Sequence, residues 1–152
     1  NLSPDSIQGD RVYGKMFSQL KEGTPILNVS DCPDLGPVLF AVAAAENGGV
    51  FSGTSRLKIK ESDRGAVMAA ELRKFGTSVT VYDDEIVIYP AKFGPPKEPL
   101  FGYNDHRIVM AEAVLLTATG GIIDGAEAVA KSFPEFFDKL KSLGIEVKRV
   151  EN

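Results

Sequence analysis

The stretch TSVTVYDDEIVIYP, residues 77–90, decides the fold class. Two β-branched runs flank Asp83 and Asp84, and that arrangement predicts an antiparallel hairpin turning at the two aspartates. Immediately upstream, SDRGAVMAAELRKFG (62–76) carries Met68, Leu72 and Phe75 on one helical face, with Gly76 placed to end the helix. Helix followed by strand pair is a unit that must bury one face of a sheet against a helix.

Similar signals extend on both sides. Toward the amino end, GDRVYGKMFSQLKEG (9–23) has Val12, Met16 and Leu20 at helical spacing, closed by Gly23. PILNVSD (25–31) reads as a short strand, and PDLGPVLFAVAAAENGG (33–49) as a largely buried helix with Pro and Asp at its start. VFSGTS (50–55) and RLKIK (56–60) read as extended, with Arg56, Lys58 and Lys60 facing one way and Leu57 and Ile59 the other. Toward the carboxyl end, AKFGPPKEPLFG (91–102) is a loop, and DHRIVMAEAVLLTATGG (105–121) is a helix apolar on most sides. GIID (121–124) is a brief strand, and SFPEFFDKLKSLG (132–144) is a helix whose Ser132 and Glu135 form a capping box. IEVKRV (145–150) closes as a strand. The expectation is an α/β (α+β) fold with helices packed on mixed sheets, over 1–152 as a single domain. The order opens on a helix, so a strand preceding Asn1 is expected to have been cut away.

The 152 residues suffice for a proper core, and 43% hydrophobic with 25% charged residues fits a globular protein. The net charge of −4 argues against a broad nucleic-acid or membrane-surface footprint, so any cation cluster must be local. One cysteine, Cys32, rules out an intrachain disulfide and a multi-cysteine metal site, and fits a reducing, cytoplasmic setting. No apolar run approaches the roughly 18 residues that span a bilayer. No metal or cofactor is expected.

Cations nevertheless gather where helix dipoles disfavour them. Arg64 falls in the first turn behind Ser62, His106 and Arg107 open a helix behind Asn104 and Asp105, and Lys131 directly precedes Ser132. An anion bound at these helix starts would reverse the sign of each placement. Solvated side chains pairing with Asp63 and Asp105 explain any one of them equally well. Glu61, among cations, is either a structural ion-pair partner or a group placed for proton transfer. Asp34 is either a dipole-favourable helix-start residue or something more. His106 is the only histidine, so metal sites built on several histidines are excluded.

Four motifs then add a resemblance. KESDR (60–64), YNDHR (103–107), CPDLGP (32–37) and AKSFPEFF (130–137), with ELRKFG (71–76) between them, closely resemble the C-terminal part of the EPSP synthase family, the 3-phosphoshikimate 1-carboxyvinyltransferases. The resemblance runs from about residue 8 to about residue 146. It implies repeated βαβαββ units forming part of one domain of the two-domain enolpyruvyl transferase fold, with the N-terminal domain absent. It implies transfer of the enolpyruvyl group of phosphoenolpyruvate to the 5-hydroxyl of shikimate 3-phosphate. By the same resemblance Asp34 is the proton acceptor at that hydroxyl, Lys60 reaches the hydroxyl and the reacting centre, and Glu61 is the proton donor to the methylene carbon. Arg64, Arg107 and Lys131 match the cations that hold phosphoenolpyruvate, with His106 in the same shell. Arg56 stands where the family often has asparagine and is left out of the site. The partners implied are the two substrates and the missing domain, with neither nucleic acid nor membrane. Two other readings are a non-catalytic anion-binding half that docks a partner domain, and the sister transferase acting on UDP-N-acetylglucosamine.

Overall fold

The computed structural model describes residue 3 and residues 5–150. A 3-10 turn, Gly9–Val12, runs into helix α1, Tyr13–Glu22, and the Val12, Met16 and Leu20 stripe packs on the core as its spacing predicts. From there β1 (Ile26–Asn28), α2 (Gly36–Ala45), β2 (Gly49–Ser52), α3 (Arg64–Lys74), β3 (Val79–Val81) and β4 (Glu85–Ile88) form a complete βαβαββ unit. The opening strand of that unit is β1, and α1 stands ahead of it. A second, shorter run follows: β5 (Leu100–Phe101), α4 (His106–Thr119), β6 (Ile123–Asp124) and α5 (Phe136–Ser142).

The first unit builds a mixed four-stranded sheet in the order β1-β2-β4-β3, parallel between β1 and β2 and antiparallel elsewhere. Leu27, Phe51 and Ile86 pair across three strands and are all buried. A one-residue slip would turn that row to solvent, so burial fixes the register. The hairpin forms where its sequence places it, with Tyr82 N donating to Glu85 O at 2.8 Å across the two aspartates. β5 and β6 pair in parallel as a separate two-stranded sheet.

Helix α2 is apolar nearly all round because it is covered nearly all round: α1, α3 and α4 pack against it and β4 lies beneath. Phe40 stands edge-on to Phe51, with ring centroids 4.8 Å apart, and burying a side chain of this size contributes roughly 1.5–3 kcal/mol. Helix α4 joins two clusters, with Ile108, Ala111 and Leu115 facing the main core, and Val109 and Ala113 facing Ala128, Val129 and Phe136. This arrangement brings the amino ends of α3 and α4 together.

Four expectations fail. The loop expected over 91–102 ends in a strand, because Leu100–Phe101 pairs with Ile123–Asp124 and Leu100 is buried. Residues 56–60 are not extended; Ser55–Ile59 is a 3-10 helix in which Leu57 is buried and Ile59 is 81% exposed. Gly53 turns the chain out of the sheet at a left-handed φ of 72°, with Ser30 Cβ 2.8 Å from where a Cβ would sit, so only glycine fits there. The capping box does not form either. Ser132 N and Phe133 N both donate to Val129 O, at 3.1 and 2.8 Å, and so prolong the 3-10 helix Ala126–Lys131; α5 starts at Phe136 without a side-chain cap. Lys131 therefore ends a 3-10 helix instead of preceding a helix start. Residues 145–150 form no strand, since among the described residues no strand lies beside them to complete a ladder. No helix of the described residues is long and apolar enough to cross a membrane.

Candidate active site

Four chain segments meet at the amino ends of α3 and α4. The 3-10 turn Pro33–Leu35 brings Asp34, and the end of the 3-10 helix Ser55–Ile59 delivers Lys60 and Glu61. Helix α3 begins at Arg64, with Asp63 as N-cap accepting from Ala66 N at 3.0 Å. Helix α4 begins at His106, with Asp105 as N-cap accepting from Arg107 N at 3.0 Å. Both caps satisfy amide donors that a helix start leaves unpaired.

Arg64 is the centre of the arrangement. It is buried, and its guanidinium serves three carboxylates. Nε donates to Asp105 Oδ2 at 2.9 Å and Nη2 to Asp105 Oδ1 at 3.2 Å. Nη1 donates to Asp34 Oδ1 at 2.9 Å, and Nη2 also to Glu61 Oε2 at 2.6 Å. Ser62 Oγ donates to Asp105 at 2.9 Å. Asp34 further accepts from Arg107 Nη2 at 3.2 Å and pairs with Lys60 Nζ at 3.1 Å, while its backbone carbonyl accepts from Arg107 Nη1 at 3.1 Å. His106 Nδ1 lies 3.8 Å from Glu61 Oε1, beyond hydrogen-bond reach, and this buried nitrogen has no other partner among the described residues.

The electrostatics follow from this packing. Burial pushes the Asp34 carboxyl up, but the hydrogen bond from Lys60 and the charges of Arg107, Lys60 and Arg64 outweigh it and hold it below the ordinary carboxylate value. Burial acts likewise on Asp105 and is overcome by the hydrogen bond and charge of Arg64 and by the amide of Arg107. Arg64 is held above its usual value, because Asp105, Glu61 and Asp34 together outweigh its desolvation.

Asp34, Ile59, Lys60, Glu61, Arg64, His106 and Arg107 line a cleft of about 450 Å³. Six of the seven residues that the sequence singles out therefore share one cleft. The seventh, Lys131, does not line it and instead donates to the carbonyl of Asn104 at 2.5 Å. Three cations here face three carboxylates, so the cleft is charge-balanced instead of simply positive. Arg56 points elsewhere, donating to Ser30 O at 2.9 Å. Cys32 is buried, and burial, then Asp10 and Asp31, push its thiol up, which suits an inert residue. Among the described residues no group of three or more His, Cys, Asp or Glu is placed to hold a metal ion.

Sequence reasoning had weighed Asp105 only as a local partner and had missed Ser62 and Ile59. Asp105 is presented by Tyr103 and Asn104, two consecutive non-glycine residues in the left-handed region, at φ 49° and 55°. Such residues cost about 1–3 kcal/mol each. Tyr103 is held by its hydroxyl, which donates to Glu71 Oε1 at 3.0 Å, and Asn104 by Lys131.

Comparison with known proteins fits this geometry. The family model for EPSP synthase (3-phosphoshikimate 1-carboxyvinyltransferase) matches residues 7–140. A 3-phosphoshikimate 1-carboxyvinyltransferase of Clostridium acetobutylicum is 38% identical across 97% of this chain, and one of Methanoregula boonei is 40% identical across 93%. The chain spans 38% of the length of each. An EPSP synthase structure from Acinetobacter baumannii superposes with a TM-score of 0.69 and 34% identity, over 80% of this chain and 30% of that one. The mixed α/β unit, the charge-balanced cleft at two helix starts and these likenesses agree, and the chain belongs to the EPSP synthase family.

Proposed function

We propose that this chain is the C-terminal part of an enolpyruvyl transferase that joins phosphoenolpyruvate to the 5-hydroxyl of shikimate 3-phosphate, releasing phosphate, in the cytoplasm. The observation that carries the proposal is the convergence of Asp34, Lys60, Glu61, Arg64, His106 and Arg107 on one cleft. Phosphoenolpyruvate bears a phosphate and a carboxylate, and both need charge-assisted donors. Lys60 and Arg107 are part-exposed and can exchange Asp34 for a ligand oxygen, whereas Arg64 holds the carboxylates in place from below. Asp34, kept ionised by its cations, takes the hydroxyl proton as the oxygen attacks C2. Glu61 delivers a proton to the methylene carbon, with His106 beside it. Return of a methyl proton to Glu61, with cleavage of the C–O bond so that phosphate leaves, then gives the enol ether product.

The cleft holds one wall of such a site, and orienting two substrates requires a second. The partner is the N-terminal domain of the same enzyme, and the chain alone binds phosphoenolpyruvate without turnover. The names of the relatives favour this reading over transfer to UDP-N-acetylglucosamine. The test is shikimate 3-phosphate-dependent phosphate release, measured for the chain alone and for the chain joined to the remaining length its relatives carry. Activity is expected only in the joined protein. A joined, folded protein that releases no phosphate defeats the proposal, and turnover by the chain alone defeats the assignment of a separate second wall.

A further inference from the structure

We propose that Asp84, at the tip of the β3–β4 hairpin, is a positioning residue that fixes where Lys60 and Glu61 stand; the proposal rests on reading the cleft as an enol phosphate site. The 3-10 helix Ser55–Ile59 leads directly into Lys60 and Glu61, yet it has no side-chain cap of its own at Thr54. Asp84 supplies that cap from another element. Its Oδ1 accepts from Ser55 N at 2.8 Å, and its backbone carbonyl accepts from Gly53 N at 3.0 Å and Thr54 N at 3.4 Å. Three successive amides thus close on one residue of the hairpin. Its neighbour Asp83 accepts from Lys58 Nζ at 3.0 Å, tying the far side of the same 3-10 helix to the turn. Leu57, buried, locks the segment against Gly36, two residues from Asp34, with a leucine methyl 3.1 Å from where a Cβ on Gly36 would sit. The segment that carries the cleft's lysine and glutamate is therefore held at the hairpin on one side and at the Asp34 turn on the other. Among the described residues Asp84 hydrogen-bonds to none that lines the cleft, so its influence runs through the backbone of residues 53–61.

The experiment uses this chain with Asp84→Ala, Asp84→Asn and Ser55→Pro, the last deleting the donor from the other side. Two readouts are taken: hydrogen exchange of the Ser55–Glu61 amides, which needs no ligand, and phosphoenolpyruvate affinity by NMR titration. Asp84→Ala is expected to speed exchange across Ser55–Glu61 and to weaken phosphoenolpyruvate about fivefold, as loss of one helix cap allows, with the melting curve little moved. Asp84→Asn keeps an acceptor oxygen and should restore both. If Asp84→Ala does not fold, Ser55→Pro must reproduce the exchange and affinity losses. Unchanged exchange at Ser55–Glu61 in Asp84→Ala, or at Arg56–Glu61 in Ser55→Pro, overturns the inference, as does an Asp84→Asn variant as impaired as the alanine. A parent chain that binds no phosphoenolpyruvate, with the exchange result intact, counts against the function and leaves the positioning role standing.

Discussion

Asp105 grips Arg64 with both of its carboxylate oxygens, across 41 residues of sequence and with neither side chain reaching solvent. The same carboxylate caps α4, so one group fixes the amino ends of two helices at once. Asp34 and Glu61 are attached to this pair instead of to each other.

Removing one partner of a buried pair strands the other, and the cost is about 3–5 kcal/mol. Asp105→Ala is expected to lower the urea-unfolding free energy by that amount. A loss below about 1 kcal/mol, the range of surface pairs, would contradict the burial of Arg64.

Arg107 should behave differently because its side chain is part-exposed and, among the described residues, bonds to Asp34 alone. Arg107→Ala should leave stability within about 1 kcal/mol of the parent. Phosphoenolpyruvate affinity should fall by about tenfold or more, as losing charge-assisted hydrogen bonds implies. Calorimetric titration that finds the affinity unchanged removes Arg107 from the substrate site.

Glu61→Gln keeps the shape and a hydrogen-bond acceptor but cannot donate the proton. In the joined enzyme, kcat should drop by about a hundredfold or more, with KM for phosphoenolpyruvate moving little. Near-normal turnover takes Glu61 out of the proton-transfer step.

Stability should decline toward both pH extremes, for separate reasons. Glu112 on α4 is fully buried, and neither of its oxygens has a partner among the described residues. Burial, reinforced by the charge of Glu71 and offset by Lys74, pushes its carboxyl up from 4.5 to about 9. The folded state therefore keeps a proton that the unfolded chain has released. That stability is whole below about 4.5 and drains as pH rises to about 9, by up to about 1.4 kcal/mol per pH unit. Asp34 and Asp105, both held below 3.8, contribute in the opposite sense: their share is present above that value and is lost as pH falls through their folded values. Urea midpoints across this range should show both limbs, and Glu112→Gln should flatten only the alkaline one. An alkaline slope unaltered by Glu112→Gln would refute the first half.

Much of this was legible in the residues. The hairpin, the α2 and α4 spans and the α3 face at Met68, Leu72 and Phe75 followed from apolar period and glycine position. Six cleft residues followed from cations at helix starts together with the family motifs. What failed was local geometry that tertiary contacts decide. Alternation at 56–60 mimicked a strand, but a turn at Gly53 and the burial of Leu57 wound it into a 3-10 helix. Ser132 and Glu135 matched a capping box, yet the Val129 carbonyl had already claimed the amides of Ser132 and Phe133. The neutrality of the cleft was hidden as well, because Asp105 pairs with an arginine 41 positions away and no short motif records that.

The span of these pairings has a consequence for biogenesis. Asp34 must wait 30 residues for Arg64 and 73 for Arg107, so the cleft cannot exist in a nascent chain shorter than Arg107. Loop closures of this length come late among folding events. If the cleft binds an anion as proposed, that affinity gauges whether α4 has docked, and a chain severed between Glu61 and Asp105 should keep helical signal while losing it.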